Sequence, residues 1–215
     1  GLSYEYISRR LATIDPALAA GRVIVAHLGN GASLCAMADG RSVDTSMGFT
    51  ALDGLMMGTR CGTIDPGVVL HLQTQMRMSP QEVETLLYNK SGLLGVSGIS
   101  SDMRALSESG APEAQDAIDL FTWRVARDAG ALVSILGGVD GIVFTAGIGE
   151  NHADVRSRIC RRLEWLGIRL QAHGNMSNDT IISHPDSKVK ALVIPTDEER
   201  MIALHTLSVL FGVAQ

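Results

Sequence analysis

The apolar and polar positions of this chain fall into short β-branched runs and longer helical patterns. Arg22 to Leu28 is an apolar run that ends in glycines, the pattern of a buried strand, and Ser33 to Ala38 reads as a second strand. The Asp39-Gly40 turn leads into a third run, Arg41 to Asp44, so an antiparallel meander is expected here. Helical signals follow. Asp65-Pro66 has the form of an N-cap with proline at the first helical position, opening a helix to about Gln75. Ser79-Pro80-Gln81-Glu82 is a capping box that opens another, and a longer helix is expected from about Pro112 to Leu136. Gly141 to Ala146 is a β-branched strand leading into the glycine turn Gly147-Ile148-Gly149-Glu150-Asn151. A helical pattern then runs to Leu166 and is closed by Gly167. Val189 to Ile194 reads as a strand, and Thr196-Asp197-Glu198-Glu199 has the form of a capping box opening a last helix to about Phe211. Strands alternating with long helices after a hairpin meander predict a mixed α/β domain whose sheet is covered by helices.

Composition narrows the class. The chain has 215 residues, 46% of them hydrophobic and only 4% aromatic, so one domain with a core of Val, Ile, Leu, Ala and Met is expected. The formal charge of -5 argues against a general affinity for nucleic acid or anionic membranes and leaves any anion to be held by a local pocket. The three cysteines, Cys35, Cys61 and Cys160, show neither CxxC nor metal-ligand spacing and read as reduced thiols in a cytoplasmic protein. The longest apolar stretches are far short of the roughly 20 residues that a membrane-spanning helix needs. The opening Gly1-Leu2-Ser3-Tyr4-Glu5-Tyr6 lacks an initiating Met and a signal-peptide core, and reads as the interior of a longer chain.

Candidate chemistry concentrates in a few segments. His27-Leu28-Gly29-Asn30-Gly31 and Gly147 to Asn151 are glycine-rich turns after strands, where glycine tolerates positive φ and lets backbone N–H groups approach an anion. The second turn also stands at a predicted helix N-terminus, which favours negative charge. Neither is a Walker A loop or a complete GxGxxG dinucleotide site. Arg60, set among small residues in Gly-Thr-Arg-x-Gly, suits a guanidinium held rigidly for a charged ligand; capping carbonyls or pairing with Asp65 is the structural alternative. Asp102-Met103-Arg104 could seat a nucleotide, although spacing alone favours a helix cap by Ser101. The capping box accounts for Thr196 and Glu199 and leaves Glu198 over. His27, at the end of an apolar strand, reads first as a hydrogen-bonded interior imidazole, and no histidine shows metal spacing or a paired nucleophile.

Taken in order, His27 to Ser33, Asp44 to Pro66, Phe144 to Asn151 and Ile194 to Glu199 resemble the acetate kinase family, which includes propionate kinases. The resemblance spans the whole chain and is read as the C-terminal, nucleotide-binding half of the family protein. It implies a ribonuclease-H-like domain of the superfamily of actin, the Hsc70 chaperones and sugar kinases. It also implies ATP or ADP bound by His27 to Gly31, Asp102 to Arg104 and Gly147 to Asn151, a transition-state role for Arg60, and Mg²⁺ at Glu198. The implied reaction is in-line transfer of the γ-phosphoryl group to acetate or propionate, with no covalent protein intermediate, in a homodimer. Ala51 replaces the proline that usually lines the family's acyl pocket, and Thr63 replaces a common aspartate, a change expected to be tolerated. Because the other half of the family protein carries a second arginine, a catalytic aspartate and an active-site histidine, the isolated chain is expected not to turn over. A stand-alone nucleotide-binding or assembly domain of the actin and Hsc70 type is the competing class.

Overall fold

The computed structural model describes residues 1–212. In chain order the elements are α1 (Leu2–Ile14), α2 (Pro16–Ala19), β1 (Arg22–Leu28), β2 (Ala32–Ala38), β3 (Arg41–Thr45), α3 (Pro66–Thr74), α4 (Pro80–Asn89), α5 (Gly92–Ser97), α6 (Met103–Glu108), α7 (Pro112–Leu136), β4 (Gly141–Thr145), α8 (Ala146–Asn151), α9 (Ala153–Arg162), α10 (Ala172–Met176), β5 (Lys190–Val193) and α11 (Glu198–Phe211). The strands form one mixed sheet in the order β3-β2-β1-β4-β5. β1, β2 and β3 make the expected antiparallel meander, and β1 pairs with β4, and β4 with β5, in parallel.

The apolar runs are continuous because both faces of the sheet are covered. Ile24, Ala26 and Leu28 of β1, with Ile142 and Phe144 of β4, face the larger core, which α7 fills with Ala117, Phe121, Val125 and Ala129. Val23 and Val25, with Val143 and Leu192, face a smaller core closed by Ile7 and Leu11 of α1. Each fully buried Val, Ile, Leu or Phe among them contributes about 1.5–3 kcal/mol. The parallel β1–β4 pair is pinned at its start by a fork in which Arg22 Nη2 donates to Asp140 Oδ1 at 2.9 Å and Arg22 Nε to Oδ2 at 3.1 Å. Hydrogen bonds from Arg22 hold the Asp140 carboxyl below its ordinary pKa.

Three expected elements come out differently. The glycine turn at 147–151 is instead a short helix, α8, that starts at Ala146 directly after β4. The pattern expected to run unbroken to Leu166 stops at Arg162, and a 3₁₀ turn over Glu164–Leu166 follows before Gly167, at φ +90°, closes it. The Thr196 capping box does not form. Asp197 is the N-cap, accepting from Arg200 N at 2.9 Å, because the Thr196 N–H donates to Glu150 Oε1 and its hydroxyl to Ser3 Oγ.

Arg156 of α9 is the largest wholly buried side chain among the described residues. It faces no carboxylate in its hydrogen-bond set. Nη1 donates to the carbonyls of Gly149 and Glu150, both at 2.8 Å, Nη2 to Asn175 O and Asn178 Oδ1, both at 2.6 Å, and Nε to Asn175 Oδ1 at 2.8 Å. Burial lowers its pKa; the fork geometry compensates by giving every donating direction an acceptor. This cation is what holds the carbonyl end of α8 in place. Arg156→Met should strand those buried acceptors and destabilise the fold by on the order of 3–5 kcal/mol, with Arg156→Lys intermediate. Urea unfolding at unchanged m-value checks this, and a loss under about 1 kcal/mol for Met would refute it.

Candidate functional site

The parallel β1–β4 pairing decides where the site lies. Its register places His27 opposite Thr145, so the segments that follow both strands leave the sheet side by side at one end. Open α/β sheets bind ligands outside the carboxyl ends of their strands. Here that end opens on a cavity of about 350 Å³ lined by Gly29 and Asn30 from the β1–β2 turn, Ser101 to Arg104 at the start of α6, and Gly147, Ile148, Asn151 and His152 from α8 and its end. Three segments far apart in sequence thus meet in one cleft.

The expected site residues divide. Gly29, Asn30, Asp102, Met103, Arg104, Gly147, Ile148 and Asn151 line the cleft. Leu28 does not: it is fully buried in the larger core. Gly149 is buried under β4, and its carbonyl is taken by Arg156. Glu150 turns its carboxylate inward, accepting from Ala146 N at 2.7 Å and Thr196 N at 3.1 Å. The first N–H of α8 is therefore already occupied, so this helix start is not the open anion site expected of it. Nor do the glycines of the two turns adopt positive φ; the left-handed conformation falls on Ala146, at φ +66°. What the glycines provide is room. A Cβ on Gly147 would meet nothing within 4 Å, which leaves the backbone open toward the cleft.

Asp102, rather than Ser101, caps α6, accepting from Arg104 N at 2.8 Å. Ser101 and His152 line the cleft although sequence reasoning assigned neither to the site; their only signal was adjacency to Asp102 and Asn151. Burial lowers the His152 pKa, and the neighbouring Arg104 lowers it further. His27 is the hydrogen-bonded, half-buried imidazole expected, with Nδ1 2.8 Å from Ser3 Oγ. Burial lowers its pKa too, while the charges of Glu198 and Glu150 act in the opposite direction.

Arg60 is brought against the same turn. Its Nη1 donates to Ala51 O at 2.6 Å, and a Cβ on Gly31 would stand 2.7 Å from its Nη2, so Gly31 is the floor beneath the guanidinium. Among the described residues no salt bridge neutralises Arg60, and Asp65 instead caps α3 through Gly67 N at 2.7 Å. The loop carrying Arg60 is stapled by backbone: Ser91 N to Thr59 O at 2.9 Å, Leu93 N to Met57 O at 2.8 Å and Cys61 N to Leu87 O at 3.1 Å. Gly92 makes this approach possible; at φ +61°, any Cβ would lie 2.2 Å from Met57 O. Asn30, on the cleft wall, accepts from Gly58 N at 3.0 Å and so joins the cleft to the Arg60 loop. Thr63 fits because it donates to Asp53 Oδ1 at 2.6 Å, whereas an aspartate there would face a like charge.

Glu198 is exposed in the first turn of α11. Its selection as the acid left over from a capping box fails with the box itself; its tie to the site is the charge felt at His27. Cys35, Cys61 and Cys160 are free thiols, and among the described residues no helix is long and apolar enough to cross a membrane.

Comparison with known proteins agrees with this geometry. The family model described as "Acetokinase family" matches residues 1–204. The acetate kinases of Methylocella silvestris and Rhodopseudomonas palustris are each 57% identical, over 98% and 95% of this chain and 52% of their own length. Among solved structures, Porphyromonas gingivalis acetate kinase superposes with a TM-score of 0.92 at 40% identity over 98% of this chain and 54% of that one. A Francisella tularensis propionate kinase superposes at 0.89 and 42% identity over 94% and 53%. The fold is therefore that of the acetate and propionate kinases, as expected. The chain spans about half the length of the relatives it matches, and the expected assignment to their C-terminal half is corrected: a half-length match within the family is what the comparisons show. On the match over residues 1–204, together with the identity to curated relatives, the chain belongs to the acetokinase family.

Proposed function

We propose that this chain is the nucleotide-binding part of an enzyme that transfers a phosphoryl group between ATP and a short-chain carboxylate, acetate or propionate. The observation that carries the reading is the single cleft in which the β1–β2 turn, the start of α6 and α8 converge, with Arg60 held beside the same turn. ATP or ADP occupies that cleft against backbone left open at Gly147, with Gly29 and Asn30 on another wall and Arg104 and His152 flanking it.

Arg60 is the group that meets the transferred phosphoryl. Phosphoryl transfer spreads negative charge over equatorial oxygens, and a fixed guanidinium stabilises that charge without having to reorganise. Its acceptor Ala51 O and its floor Gly31 set that position, and the stapled loop keeps it. Ala51 would also form part of the wall against the acyl group. Among the described residues, no three His, Cys, Asp or Glu side chains gather into a metal cage. Magnesium carried by a nucleotide needs only one or two carboxylates beside the phosphates, so a lone acid suffices, and Glu198 is the residue that would hold it. Bound there, the cation supplies charge neutralisation at the phosphates.

Turnover requires more than this chain, which spans about half the length of its relatives. The apolar residues left uncovered on α11, with Val209 at 85% and Phe211 at 71% exposure, and on α3, which buries none of its residues, support contact with the remainder of the protein or with a second copy in a homodimer. An actin-like assembly domain is the weaker reading, since a pure nucleotide sensor has no use for a rigidly presented arginine facing no carboxylate.

Hydroxamate formation from acetate, ATP and Mg²⁺ should appear when the chain is extended to the full length of its relatives and not with the chain alone; activity in neither would sink the kinase reading. In the extended enzyme Arg60→Ala should lower kcat by on the order of 10² or more with little change in ATP affinity. Gly31→Ala should reproduce part of that loss by pushing the guanidinium aside while leaving the melting temperature nearly unchanged, and unaltered kcat would refute the role of Gly31 as its floor. Glu198→Gln should raise the Mg²⁺ requirement, read from a magnesium titration; an identical titration would remove Glu198 from the metal site.

A further inference from the structure

Glu150 stands out because a single oxygen of its carboxylate ties two elements together while the residue is not part of the cleft lining. One oxygen, Oε1, accepts from Ala146 N at 2.7 Å and Thr196 N at 3.1 Å, with Thr145 Oγ1 3.4 Å away. The first donor opens α8, a wall of the cleft; the second belongs to the turn that leads, two residues on, into Glu198. Ala146 sits at φ +66°, a conformation that costs an alanine on the order of 1 kcal/mol or more and persists only where its surroundings impose it. The carboxylate takes the N–H of this same residue and so holds it from the N-terminal side. From the other end, Arg156 fixes the carbonyls of Gly149 and Glu150. The Thr196 hydroxyl continues the chain of contacts through Ser3 Oγ at 3.0 Å to His27 Nδ1, 2.8 Å further.

We infer that Glu150 is a positioning residue: its carboxylate locks the nucleotide wall α8 to the Thr196 turn, so that the backbone at Gly147 and the acid at Glu198 are presented to one ligand in fixed relation. This rests on the nucleotide and magnesium reading of the site for its consequence, though not for the lock itself. Glu150 touches no ligand in this scheme. An anionic carboxylate shared between two backbone N–H donors of different elements is a short, charge-assisted tie that neither element could make alone. Because α8 has only six residues, its own hydrogen bonds are too few to hold it without the tie.

The lock is tested without nucleotide by hydrogen exchange on the chain itself. Glu150→Ala removes the shared acceptor, and Glu150→Gln keeps an acceptor oxygen but removes the charge, which guards against a variant that does not fold. Both should speed exchange in segments 145–151 and 195–200 together, by roughly tenfold or more for Ala and less for Gln, while β1 and β2 stay protected. Acceleration of one segment alone, or of neither, overturns the inference. The consequence is then read as ADP affinity with and without Mg²⁺. Glu150→Gln and Glu198→Gln should each reduce the gain that magnesium gives, and the double variant should lose little more than Glu198→Gln alone; additive losses would show that Glu150 does not act through Glu198. Absence of ADP binding by the unmodified chain would defeat the nucleotide reading instead, and the exchange result would still decide the lock.

Discussion

The parallel pairing of β1 with β4 is the constraint on which the rest of the molecule depends. Parallel neighbours cannot be joined by a tight turn, so the chain must leave β1, complete the meander and return through a crossover whose last helix is the 25-residue α7. That return buries Phe121, Val125 and Ala129 against the sheet and sets His27 level with Thr145. Everything placed at the cleft follows from this register. A one-residue slip would exchange the two faces of β4 and move α8 away from the β1–β2 turn.

Within that frame, much of the work at the proposed site is done by backbone, and the side chains that matter most hold backbone in place. Arg156 and Glu150 grip α8 from opposite ends, one through carbonyls and the other through an amide. The loop of Arg60 is stitched to residues 87–93 by main-chain hydrogen bonds. Among the described residues, Asp102 and Arg104 are the acid and the arginine that line the cleft, which fits the proposed binding of polyphosphate through fixed dipoles and a small number of guanidinium groups.

How much of this was legible in the sequence varies with the reach of the forces involved. β1, the Ser79 capping box and α7 were readable because periodicity and capping act within a few residues, and the structure reproduces them. α8 read as a turn because two glycines in six residues argue against a helix, and in the fold Glu150 and Arg156 hold its two ends. Thr196 matched a capping box letter for letter, yet both of its donors are claimed by Glu150 and Ser3, leaving the cap to Asp197. α1 gave no starting signal, since its N-cap is Gly1 with no side chain to cap it. In the cleft, both glycine-rich turns contribute to the lining, whereas Leu28, Gly149 and Glu150, expected there with them, do not line it. A motif marks a segment, and only the fold decides which of its side chains face in.

Ala51 shows the same distinction from the other direction. The resemblance to the family leads one to expect proline here, and a departure beside Arg60 would threaten the arginine. Its contact with Arg60, however, is made by its carbonyl oxygen, which accepts from Nη1 at 2.6 Å. Proline carries the same carbonyl and lacks only the N–H, so the acceptor that positions the guanidinium survives either residue. What alanine changes is the shape of the proposed acyl wall and the stiffness of an exposed loop, where the ring no longer fixes φ. The substitution therefore separates the two tasks proposed for this position: it leaves the acceptor that holds Arg60 intact and acts on the shape of the proposed acyl wall.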